Sequence, residues 1–150
     1  VEEHGLLPRR WMTMASKKQW QTVSVALNPY VSLSMGELLD GWRSHVRRLS
    51  VELDAETSDR ATWGAHDYAA ALHIREAFER GLALLQAQDR ADAKREVADS
   101  DQYLQTRTEP DVGGLLNELL SAEATSDSWW WHRVPKRGPV RDELESYKRR

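Results

Sequence analysis

The chain has 150 residues, 30% of them charged and 40% apolar, with seven Trp, one Phe, no Cys and a net charge of -3. The absence of cysteine excludes disulfides, thiolate metal sites and a cysteine nucleophile, and no run approaches the ~20 apolar residues of a membrane-spanning helix. The length fits one domain with a core of moderate size, and a mean hydropathy of -0.70 suits a thin helical bundle in a cytoplasmic protein better than a thick globule.

Residues 1–16 read as a disordered or start-site extension, since Val comes first and Met12 and Met14 follow closely. Residues 17–135 read as a single helical domain and 136–150 as a basic charged tail. Between Arg133 and Arg150, seven Arg or Lys face three acids, which leaves an acidic body with a basic end. Within Gln19 to Ser34, Val23, Val25 and Leu27 alternate with small or polar residues, Asn28-Pro29 marks a turn, and Val31 and Leu33 alternate again. A small hairpin fits this pattern, but two short strands are marginal alone. The expectation is therefore an extended segment laid on the helices, or an edge that meets a partner.

Ser34 and Glu37 have the spacing of a capping box. Leu38, Leu39, Trp42, Val46, Leu49 and Leu53 then recur three or four apart, with Arg43, Ser44, Arg47 and Arg48 between them, which predicts an amphipathic helix. The polar stretch 54–58 is a short connection, so this helix folds back on the next one. From Asp59 to Gln105 no proline occurs and most residues are strong helix formers. Trp63, Ala70, Ala71, Ile74, Phe78, Leu82 and Leu85 line one stripe, Gln86 to Glu96 is polar all round, and Val97 and Leu104 resume seven apart. One unbroken helix would span ~70 Å at ~1.5 Å per residue. A compact chain of this size has a radius of gyration of ~15 Å, so an elongated shape is expected. A bend usually leaves a Pro or Gly mark, which is missing between Gln86 and Ala93.

Pro110 ends that helix and opens a third, whose apolar stripe is Leu115, Leu116, Leu119 and Leu120. The tripled Trp follows, then the charged tail with a short helix from Val140 to Lys148. The expected fold is all-α: an elongated helical hairpin or three-helix bundle with one long central helix and an extended amino-terminal segment.

Three groups of residues are candidates for chemistry. Trp129, Trp130, Trp131 and Arg133, with Trp42, Arg43 and Arg47 of the first predicted helix, suit a partner-binding surface, because a few buried indoles and arginines carry most interface energy. The same indoles suit capping of their own bundle, stacking on single-stranded bases or a lipid interface. His66, Asp67, His73 and Glu76 share one helix and could meet His45, Asp40 and Glu52 across a hairpin. The plainer reading is a solvated flank, and no metal or other cofactor is expected. Arg60 and His66, separated by five residues at a helix start, resemble the motif of the HEPN ribonucleases. That resemblance implies a dimeric enzyme in which these two residues attack and stabilise an RNA phosphodiester.

Gly113-Gly114 lacks the spacing and the Lys-Ser/Thr of a phosphate loop, and no serine sits in a G-x-S-x-G setting. The function expected is thus a non-catalytic interaction or regulatory module that binds a protein partner and self-associates, with a homodimer as a fitting form and nucleic acid a weaker option. The alternatives are an RNA-cleaving enzyme of the HEPN kind using Arg60 and His66, and an immunity or antitoxin-type protein whose acidic body neutralises a basic toxin.

Overall fold

The computed structural model describes residues 18–53, 63–120 and 126–149. The expected extension 1–16, the connection 54–58 and Arg60 lie outside them. After a 3-10 turn at Gln19–Thr22, strands β1 (Ser24–Asn28) and β2 (Val31–Ser34) pair as an antiparallel hairpin. Asn28 sets the turn: its Oδ1 accepts the N–H groups of Tyr30 and Val31 at 2.8 and 2.9 Å, as Asx side chains do where they replace a backbone turn.

Helix α1 (Met35–Glu52) starts at the capping box. Ser34 Oγ accepts the Glu37 N–H at 3.1 Å and Glu37 Oε1 accepts the Ser34 N–H at 2.8 Å. All six apolar residues of its expected stripe, Leu38 through Leu53, are buried. Helix α2 (Ala65–Leu82) runs antiparallel to it: Gly41 lies against Ile74, and Met35 lies at Gly81. A Cβ on Gly81 would collide with Met35 Sδ and Val25 Cγ2. Only glycine lets the start of α1 and the hairpin settle on the end of α2.

The long central helix is two helices. Helix α2 ends at Leu82 and α3 (Ala87–Arg107) begins after a tight reversal. The amides of Ala83, Leu84 and Leu85 bond three residues back, to Arg80, Gly81 and Leu82, which tightens the last turn. Arg90 then reaches back from α3, its Nε donating to Leu82 O at 2.9 Å and an Nη to Leu85 O at 2.6 Å. A guanidinium thus satisfies the carbonyls a helix end leaves open, and no proline is needed. The reversal brings Ala93, Val97 and Leu104, which a straight helix would expose, into the core. Helix α3 runs parallel to α1, with Arg43 meeting Glu96 and Ser50 meeting Tyr103, each pair 53 residues apart.

The expected third helix is also corrected. Pro110 closes a short strand, β3 (Thr108–Pro110), which pairs antiparallel with β4 (Arg133–Pro135). Leu115–Glu118 form a single 3-10 turn, because Gly114 takes the left-handed φ of 66° and the Asp111 carboxylate binds the Leu115 and Leu116 amides at 2.8 and 3.0 Å. Helix α4 (Pro139–Lys148), with Pro at its first position, buries Val140 and Leu144. Its Glu143 Oε1 accepts the Ala65 N–H at 2.8 Å and so caps α2. The segment read as a charged tail is therefore packed on the body along this helix.

Among the described residues the architecture is four helices with two small antiparallel sheets around one core. It is mixed α/β with helices dominant, and this overturns the all-α expectation. The alternating segment pairs with itself as a hairpin, and residues on either side of the Trp cluster make the second sheet.

Candidate interaction surface

The tripled Trp occupies a 3-10 turn, Trp129–His132. Trp130 and Trp131 are only 2% and 3% exposed, and Trp129 is half-buried against Trp130. Trp131 Nε1 donates to Glu76 Oε1 at 2.6 Å, and its ring lies edge-on to His73. The guanidinium of Arg75 sits 4.3 Å from the centroid of the Trp130 ring, a cation–π arrangement. Arg133 turns inward as well: it donates to Thr108 Oγ1 at 2.8 Å and to the carbonyls of Thr108 and Gln105 at the end of α3. Its own carbonyl accepts the Tyr68 hydroxyl at 2.7 Å, and burial pushes the Tyr68 phenol well above its ordinary pKa. These residues hold the body together.

Trp42 is likewise internal. Its Nε1 donates to Asp101 Oδ1 at 2.9 Å, and the same carboxylate takes Arg75 Nε at 2.9 Å and an Arg75 Nη at 2.8 Å. Arg75 is 4% exposed. Burial opposes its charge, but Asp101 and Glu79 more than offset that, so its pKa is raised. Trp42, Arg75, Asp101 and Trp130 therefore tie α1, α2, α3 and the Trp turn into one polar knot inside the apolar core.

Arg43 and Arg47 lie at the outer edge of α1, beside a groove of about 570 Å³ between α1 and α3. Val46 and Val51 from α1 and Tyr103 from α3 give it an apolar seam. Val51 and Tyr103 remain 65% and 40% exposed. Tyr103 is held in place, its hydroxyl 2.7 Å from Ser50 Oγ and the Arg107 guanidinium 4.0 Å from its ring centroid. Arg43 donates to Glu96 O at 2.9 Å and to Glu96 Oε1 at 3.2 Å. Arg47 on the α1 wall and Asp99 on the α3 wall have no hydrogen-bond or ion-pair partner among the described residues. Sequence reasoning missed Val51, Asp99 and Tyr103. The available signal was Val51, an apolar residue off the phase of the α1 stripe.

The histidines are dispersed. His66 is exposed in the first turn of α2, near Tyr147, and its expected companion Arg60 is outside the described residues. His45 Nδ1 accepts the Trp63 indole N–H at 2.9 Å, Glu76 is engaged by Trp131 and Ser126, and Asp67 Oδ2 caps the Gly64 amide. Among the described residues no three His, Asp or Glu gather as a metal site. A second cleft, of about 540 Å³ beside α4, is lined by Arg149 and by two cations that are already engaged: Arg141 pairs with Glu109 and Glu145, and Lys148 donates to Gly113 O.

No protein-family model, curated protein or solved structure matches the chain. Among the described residues no helix is long and apolar enough to cross a membrane.

Proposed function

We propose that this chain is a non-catalytic protein-interaction module whose partner surface is the groove between α1 and α3. The observation that carries this reading is the pairing of exposed apolar side chains, Val51 and Tyr103, with two charges that have no partner among the described residues, Arg47 and Asp99, along one groove. Apolar area ringed by polar groups is the usual form of an interaction site. Of the surfaces suggested by the sequence, the Trp turn has little area left for a partner, because two of its three indoles are buried. Helix α1 keeps Arg43 and Arg47 at its outer edge.

The test is Val51→Asp, which puts a carboxylate on the seam without touching the core. The wild-type chain, purified from its native cells, is expected to carry a protein partner or a second copy through light scattering and mass spectrometry. The variant should hold it about tenfold or more weakly with unchanged circular dichroism. Retention of the partner by the variant would move the site elsewhere. A chain that carries only RNA would redirect attention to Arg60 and His66, with loss of cleavage in His66→Ala as the next measurement.

A further inference from the structure

We infer that the occupant of the α1–α3 groove is a second copy of this chain, docked about a two-fold axis parallel to the two helices. This rests on the interaction reading above and names its partner. The argument begins with the charges on the two walls. The α1 wall carries Arg43 and Arg47, and the α3 wall carries Asp99, with Glu96 one turn before it and already held by Arg43. A two-fold interface sets the same patch against itself, so the patch must be its own complement. With the axis parallel to the helices, the basic wall of each copy faces the acidic wall of the other. An axis across the groove would set like against like, which disfavours association.

The register makes this match specific. Two contacts beside the groove join α1 to residues 53 further along the chain in α3, Arg43 with Glu96 and Ser50 with Tyr103, while the inward-facing Trp42 reaches on to Asp101. Arg47 is therefore level with Ser100, one residue from Asp99, and Val51 is level with Leu104, one residue from Tyr103. Rotation about an axis along the helices preserves height. Each copy then offers Arg47 to the Asp99 of the other and, one turn on, Val51 to the other's Tyr103. The two charges without a partner among the described residues and the two exposed apolar side chains are satisfied by one symmetry operation.

The experiment is light scattering with size exclusion from micromolar to millimolar chain, on wild type, Arg47→Glu and Asp99→Lys. Neither substitution removes a described contact within the chain, and circular dichroism checks that both fold. Wild type is expected at twice the chain mass of 17.3 kDa, and each reversal at the single-chain mass. An equimolar mixture of the two variants should regain the doubled mass. In that mixed dimer the introduced carboxylate faces the introduced amine, and the native Arg47–Asp99 pair forms at the other site. A wild type that stays monomeric throughout, a dimer indifferent to both reversals, or a folded mixture that stays monomeric would each overturn the proposal. A monomer that still binds another protein through Val51 would leave the interaction reading standing and reject only the second copy. Indifference of every association to Val51→Asp would reject both.

Discussion

Arg75 brings a full charge into the core, and its environment explains why that is tolerated. Asp101 meets it through two hydrogen bonds, Glu79 through a third at 3.0 Å, and the Trp130 ring covers it. A buried pair of this kind contributes little against an apolar replacement, but removing one partner strands the other. Asp101→Ala should therefore lower unfolding stability by about 3 kcal/mol, seen as a lower urea midpoint. Adding Arg75→Met to it should recover much of the loss. If the double variant is as unstable as the single one, the Trp42 indole left without an acceptor is the larger cost. Trp42 also illustrates how far periodicity reads: its place on an apolar stripe was legible, but its indole N–H bond to a residue 59 positions away was not.

The joint between α2 and α3 exists because folding back offers more burial than extending. Gln86 to Glu96 presents few apolar groups to any neighbour, and helix propensity without packing stabilises little. Reversal at Ala83 places Ala93, Val97 and Leu104 against the core. Arg90 closes the end of α2, so Arg90→Met should cost about 1–2 kcal/mol, the scale of hydrogen bonds from a charged donor. The helical circular dichroism signal should stay unchanged while the urea midpoint falls. An unchanged midpoint would mean that water replaces the guanidinium at no cost. The reversal was not legible because its stop signal is a side chain downstream rather than a Pro or Gly within it. The capping box at Ser34 was legible because it acts within one turn.

The response of the fold to acid follows from two histidines. Burial lowers the pKa of His45 below its usual 6.5, against the opposing pull of Asp67. Burial, aided by the positive charge of Arg80 and opposed by Glu76, does the same for His73. Both are kept neutral by the fold, so the unfolded chain binds protons first as pH falls. Their contribution is complete above pH 6.5 and is lost as pH drops through the depressed folded-state values. Urea midpoints should therefore fall as pH is lowered from 7.5 toward 5, and His45→Gln with His73→Gln should flatten that slope. Asp92 acts in a separate, more acidic window: hydrogen bonds from Lys18 and Trp20 lower its pKa below 3.8, so its contribution is present above that value and lost beneath it. A slope that survives both histidine substitutions would place the acid sensitivity in other groups.

Local rules settled α1, its cap, the antiparallel return of α2 and the turn at Asn28, because each depends on residues a few positions apart. Tertiary contact decided the rest. It split the long helix, reduced the third to one turn, paired β3 with β4 and turned the Trp cluster inward. Those outcomes depend on partners far along the chain, such as Glu76 for Trp131, Asp101 for Arg75 and Thr108 for Arg133. The candidate surface has the same origin. Val51 and Tyr103 share a groove only because the reversal lays α3 parallel to α1, and no spacing within either segment encodes that register.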